Sequence, residues 1–226
     1  LHPAAPLRSA AWRTTNVRLC IMWEKEIPLY DYRRMTAEER EWGVLCRKEQ
    51  GYPRHSPPHG MQVEANFLIT AACFEHKSIV DGPKLLSWLQ EEILSALVEG
   101  SVEYHAYVFQ PTHYHVLLHA LDLAIVSEIL RKKHSDLATK VNGQQDARGR
   151  RVWYRYSDRR IRDERHFWTT VNYIHFNPVK HGYVDTMSVW PWSSWRLYLE
   201  EHGQQWLEEL WVGFPVANYG KGWDWK

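Results

Sequence analysis

Hydrophobic and polar positions along this chain change rhythm near residue 60. Before that point the apolar residues are scattered, and one element stands out. Thr36-Ala37-Glu38-Glu39 has capping-box spacing and predicts a short amphipathic helix running to about residue 49. Gly51-Tyr52-Pro53-Arg54-His55-Ser56-Pro57-Pro58-His59-Gly60 then predicts a proline-rich linker. Beyond it the pattern becomes regular. Apolar runs at 65–73, 102–109 and 113–119 are bounded by turn residues and predict strands, the last two joined through Gln110-Pro111-Thr112. Apolar residues at helical spacing predict helices at 83–98, with Pro83 in the first turn, at 123–141 and at 163–176. A fourth strand is expected at 151–156. The order is β-α-β-β-α-β and then α, which predicts an α+β, ferredoxin-like split βαβ fold with one added helix. Residues 1–60 read as an extension, 61–200 as the working domain and 201–226 as a second extension.

Two constellations carry chemistry. In a strand His113 and His115 project to one face, while Tyr114, Val116 and Leu118 project to the other. Further on, Asn172-Tyr173-Ile174-His175-Phe176-Asn177-Pro178 reads as the last turns of a helix stopped by Asn-Pro, with Tyr173 and Asn177 one turn apart on one face. His113, His115 and the Asn177 amide oxygen could hold a divalent cation and leave positions open for a phosphate oxygen and water. Mixed imidazole and oxygen donors suit Mg²⁺ or Mn²⁺, and imidazole also accepts Zn²⁺. Tyr173 beside such a cation is a candidate nucleophile toward a phosphodiester. The other histidines are set apart. His119 shares the parity of the pair but lies roughly 13 Å beyond His115 by strand rise, and His175 sits about 200° around the helix from Tyr173.

Bulk properties narrow the setting. The chain has 226 residues, 44% of them hydrophobic, enough to bury a core, and a formal net charge of +1, so nucleic-acid affinity must come from local basic patches. Cys20, Cys46 and Cys73 form no Cys-x-x-Cys pair and predict neither a disulfide framework nor a cysteine zinc site. A reducing cytoplasm is the expected compartment, with no membrane partner, since no apolar run approaches a membrane span. Leu1 opens the chain, and Met22 offers an alternative start that would leave residues 1–21 as an optional extension.

Together His113-Tyr114-His115 and the run Asn172 to Gly182 resemble the HUH (His-hydrophobe-His) single-tyrosine transposases, and within them the REP-associated tyrosine transposases. Val152-Trp153-Tyr154-Arg155-Tyr156, Ile161 to Phe167 and Trp190-Pro191-Trp192-Ser193-Ser194 extend the likeness, which covers roughly residues 62–200. One departure is Thr112, where such proteins more often carry Asn, and this puts a hydrogen bond at the edge of the site in question. The resemblance implies a metal-dependent DNA transesterase: Tyr173 attacks single-stranded DNA beside a hairpin of the repetitive extragenic palindrome type, giving a 5′-phosphotyrosine and a free 3′-hydroxyl. It implies a short guide tetranucleotide, a bacterial protein associated with the nucleoid when bound to DNA, and either a monomer or a homodimer.

For DNA contact the expected residues are Arg151, Arg155, Arg159, Arg160, Arg162 and Arg165, interleaved with Trp153 and Tyr154, because guanidinium groups pair with phosphates and rings stack on unpaired bases. Lys180 could touch the scissile phosphate or sit in solvent. Arg131-Lys132-Lys133-His134 reads as a solvated surface, and Trp190, Trp192 and Trp195 as packing residues. Two rival readings are a hairpin-binding protein without catalysis and a metal-dependent phosphoesterase that activates water. RNA binding is disfavoured by the lack of an aromatic RNP-like signature on the strands.

Overall fold

A computed structural model describes Thr36 and residues 64–220. The chain divides at residue 60 into two units, and the elements below belong to the second. The helix and linker expected between residues 37 and 60, Cys20, Cys46, Met22 and the end of the chain after residue 220 lie outside the described residues.

Strand β1 (Ala65–Ala72) leads to helix α1 (Pro83–Glu99), strands β2 (Glu103–Phe109) and β3 (His113–Ala120), helix α2 (Leu123–Gln144), strand β4 (Ser157–Arg160) and helix α3 (Glu164–Lys180). Helices α4 (Trp195–His202) and α5 (Gln204–Gly213) follow. The sheet order is β2-β3-β1-β4, and every neighbouring pair is antiparallel. This is the split βαβ arrangement expected from the sequence, with β1 and β3 central and β4 at an edge.

Alternation along the strands loads both faces of the sheet. Phe67, Ile69 and Ala71 of β1, with Tyr114, Val116 and Leu118 of β3, pack with Leu89, Ile93, Val126 and Leu130 of α1 and α2. The opposite face, with Leu68, Ala106, Val108 and Leu117, packs with Val171, Tyr173 and Ile174 of α3 and Leu210 of α5. A bulge between Tyr104 and Ala106 sets this parity in β2. Near-continuous burial of β3 follows from being covered on both sides.

Two expectations need correcting. The fourth strand lies at Ser157–Arg160, not at 151–156; Val152 and Trp153 are buried in the core, and only Trp153 makes an isolated bridge, to Cys73. Their apolar signal reports burial of an irregular segment. The true strand, Ser-Asp-Arg-Arg, is a polar edge whose pairing sequence patterning does not register. Nor does Asn-Pro stop the tyrosine helix: α3 runs through Pro178, which only removes the N–H that would meet the Ile174 carbonyl. The stop is Gly182, at φ 71°. Gly182 N–H donates to Val179 O and Tyr183 N–H to Pro178 O, a Schellman closure.

Candidate active site

Asp163 opens α3 by accepting a hydrogen bond from His166 N at 2.7 Å, and the helix then lies over the face of the sheet that carries the histidine pair. Because the helix persists past Pro178, Tyr173 and Asn177 sit one full turn apart and both are completely buried. His113 Nε2 is 2.9 Å from Asn177 Oδ1, and His115 Nε2 is 3.5 Å from the Tyr173 hydroxyl. The two imidazoles stand edge to face at 4.9 Å. The four residues singled out in the sequence therefore meet.

Each imidazole is held from behind by a threonine. Thr70 Oγ1 lies 2.8 Å from His115 Nδ1, and Thr112 Oγ1 lies 2.9 Å from His113 Nδ1. Thr112 also reaches the Tyr183 hydroxyl at 3.4 Å, so the edge bond put in question by the departure from Asn is made by a hydroxyl instead. A hydroxyl can donate or accept, which lets each ring keep its Nε2 either protonated or bare. The sequence reading missed Thr70, although its pairing opposite His115 follows from the β1–β3 register.

This donor set fits a divalent cation. His113 Nε2 and Asn177 Oδ1, which an Nε2–H hydrogen bond joins at 2.9 Å, are one imidazole and one hard oxygen donor spaced as two ligands of one ion could be, and Asn177 Nδ2 is buried with no hydrogen-bond partner among the described residues. No three His, Cys, Asp or Glu side chains gather to hold a metal among the described residues. The third protein ligand would thus be the Asn177 amide oxygen, a hard donor suited to Mg²⁺ or Mn²⁺.

His181 packs 4.9 Å from His113. Tyr173 is covered by the segment after α5: Gly220 lies against its ring, and the Tyr219 ring centroid is 5.4 Å away. Thr170 Oγ1 sits 2.6 Å from the Tyr219 hydroxyl, and His166 Nε2 sits 2.9 Å from it. Burial pushes the Tyr219 phenol up, against smaller opposing contributions from the Thr170 hydrogen bond and from Arg159 and Arg162. Lys180 is exposed yet reaches the cover of the site: its Nζ donates to Gly220 O at 3.3 Å and lies 5.0 Å from the Tyr173 ring centre. His175, as expected, faces elsewhere. It meets Ser194 Oγ at 2.9 Å, and complete burial lowers it to about 3.

The basic candidates separate into groups. Arg159 pairs opposite Leu68 and so lies on the Tyr173 face of the edge strand. Arg160 and Arg162, with Asn66, Phe167 and Trp168, line a cavity of about 450 Å³ where β4 meets α3. Arg155 and Arg165 are exposed. Arg151 is exposed too, but its guanidinium lies against an aromatic cluster, 4.8 Å from the Phe74 ring, with Nε donating to Trp153 O at 3.1 Å. Tyr154 is half-buried in the same cluster, 5.0 Å from Phe74. Trp153 is no base-stacking platform: it is buried, stacked on His134 at 4.7 Å. His134 likewise leaves the surface expected for its basic run, meeting the Tyr114 hydroxyl at 2.7 Å. Arg131 and Lys133 of that run do stay near the surface, paired with Glu128 and Glu92.

The split βαβ sheet carrying His-x-His under a helix-borne tyrosine is the arrangement implied by the resemblance to HUH single-tyrosine transposases. A Haemophilus influenzae protein named as a REP-associated tyrosine transposase is 30% identical over 96 residues, covering 38% of this chain. This chain spans 54% of that relative's length. A solved structure of a REP-associated tyrosine transposase bound to a REP hairpin overlaps 65% of this chain and 86% of its own, at TM-score 0.51 and 18% identity, a likeness of fold. A transposase structure from Deinococcus radiodurans overlaps 51% of this chain and 92% of its own at 16% identity and TM-score 0.37, too low to bear on the argument. No protein-family model matches. The chain is thus similar in sequence to one REP-associated tyrosine transposase over 96 residues and shares the fold of another. Among the described residues no helix is long and apolar enough to cross a membrane.

Proposed function

We propose that this protein is a single-tyrosine DNA transesterase that cleaves and rejoins single-stranded DNA beside a hairpin. The observation that carries the reading is the placement of Tyr173 and Asn177 on one face of α3, over His115 and His113. The Tyr173 oxygen attacks a phosphodiester phosphorus and loses its phenolic proton, a 5′-phosphotyrosine bond forms, and the P–O3′ bond breaks, the leaving oxygen taking up a proton to become a 3′-hydroxyl. One phosphodiester replaces another, so the reaction reverses without an energy source. A divalent cation, Mg²⁺ or Mn²⁺, bound by His113, His115 and Asn177 would supply polarisation of the phosphate and neutralise developing charge. Thr70 and Thr112 orient the imidazoles through Nδ1. His115 Nε2, 3.5 Å from the phenol oxygen, places the Tyr173 hydroxyl beside the position such a cation would take.

Arg159, on the Tyr173 face of the edge strand, would form the basic approach to the site with Arg162 and Arg165, and a hairpin is the partner suggested by the solved structure bound to one. The second reading, a hairpin-binding protein without catalysis, draws support from the burial of Tyr173 beneath Gly220. Labelled hairpin-flanked single strands incubated with the protein in Mn²⁺ or EDTA and resolved on denaturing gels distinguish the two. The transesterase gives a metal-dependent covalent band, and the binding protein gives none.

A further inference from the structure

The hairpin turn that presents His113 holds a second residue with unmet hydrogen-bonding capacity. β2 and β3 pair Val108 with His115 and Phe109 with Tyr114. Gln110 N–H donates to His113 O at 2.9 Å and continues that register by one pair. Directly opposed residues share a face of the sheet, so Gln110 stands beside His113 on the face that α3 covers. Its side chain is 1% exposed. Both of its polar atoms, Oε1 and Nε2, are buried without a hydrogen-bond partner among the described residues. A primary amide stripped of water on both ends is costly, and an apolar side chain of the same length, such as methionine, would fill the place without that cost. The site next to it contains another orphaned amide nitrogen, Asn177 Nδ2.

We propose that Gln110 is a fourth protein group of the catalytic site. Its amide oxygen would face a cation held by His113, His115 and Asn177, and its NH₂ would donate to a non-bridging oxygen of the scissile phosphate. This assignment rests on the cation-dependent reading above and extends it: both orphaned atoms of one side chain are accounted for by one acceptor-seeking and one donor-seeking partner, a cation and a phosphate oxygen. The role is one of positioning. It also gives the turn a chemical purpose, because Pro111 and Thr112 hold Gln110 and His113 in register.

The test is Mn²⁺ binding to the full chain without DNA, read by electron paramagnetic resonance of the free ion, with a thermal melt of each protein alongside. Gln110→Met is expected to bind Mn²⁺ about tenfold more weakly than wild type, the scale of loss when a supporting group is removed from a metal site, while melting at the same or a higher temperature. Gln110→Glu, which places a carboxylate at the same point, is expected to bind more tightly than wild type and supplies the reading should Gln110→Met fail to fold. Affinities of both variants within twofold of wild type overturn the assignment and reduce Gln110 to a buried polar residue. Failure of wild type itself to bind, with the same result for His113→Ala, overturns the cation reading and this inference with it.

Discussion

Gly220 lies so close to the ring of Tyr173 that a β-carbon at position 220 would overlap its Cε2 and Cζ atoms. Gly220 also adopts φ 74°, so a side chain there meets both backbone strain and the phenol. The covering segment is fastened by Tyr219 to Thr170 and His166 and by Lys180 to Gly220 O. On the proposed function, a phosphodiester would reach the fully buried Tyr173 only if this segment lifted.

Gly220→Val is therefore expected to loosen the cover by roughly 1–3 kcal/mol and to speed nitration of Tyr173 by tetranitromethane, quantified by peptide mass spectrometry. The rest of the fold should melt within a few degrees of wild type. An unchanged nitration rate would mean that the cover is not what shields the phenol.

Removing the threonine behind either imidazole leaves the histidine in place but frees its ring. Thr70→Val and Thr112→Val should each weaken Mn²⁺ binding by about 10–100-fold, with Thr112→Asn restoring most of the loss because an amide can also engage His113 Nδ1. Calorimetric titration of the three variants checks this.

His134 makes the fold sensitive to acid. Burial lowers it to about 4 from 6.5, and its neutral ring sits against the Tyr114 hydroxyl at 2.7 Å. The unfolded chain takes up a proton below about 6.5, the folded chain only near 4. Stability is thus fully present above pH 6.5 and declines as pH falls toward 4, by at most roughly 3 kcal/mol from this group. His175, at about 3, and His166, at about 4, add to the same trend. His134→Gln keeps a hydrogen-bonding atom near Tyr114 without titrating, so its melting temperature should fall less steeply between pH 7 and pH 4.5.

The grouping of arginines yields a salt-dependence test. Arg160→Ala and Arg162→Ala, at the β4–α3 cavity, should weaken single-strand binding and shallow the slope of log K against log salt by about 0.7 for each phosphate that is no longer neutralised. Arg151→Ala should leave the slope unchanged, since its guanidinium packs on Phe74. Fluorescence anisotropy across a salt series reads all three.

Much of the site was legible because its chemistry follows local periodicity. The alternation that puts His113 and His115 on one face, and the helical turn that aligns Tyr173 with Asn177, are properties of adjacent residues. The order of elements was legible for the same reason. What escaped depends on partners distant in the chain. Thr70 reaches His115 only through strand pairing, Tyr219 and Gly220 reach Tyr173 only through the fold of the C-terminal segment, and Trp153 leaves the proposed DNA surface because His134 and Tyr114 take its faces. β4 was misplaced because a polar edge strand has one neighbour and little apolar pattern, whereas a buried irregular segment beside it has much. The helix end was misread because a proline late in a helix costs a single hydrogen bond, while a glycine at positive φ closes two of the last carbonyls, those of Pro178 and Val179.

The central claim is that Tyr173 itself becomes bonded to DNA. Its most direct test is digestion of the covalent product formed with a hairpin-flanked single strand in Mn²⁺, followed by mass spectrometry of the nucleotide-bearing peptide, with Tyr173→Phe as control. The account predicts a 5′-phosphate on the peptide containing Tyr173, no adduct in EDTA or in Tyr173→Phe, and hairpin binding retained by that variant. An adduct on another residue, or strand cleavage that persists unchanged in Tyr173→Phe, would contradict it.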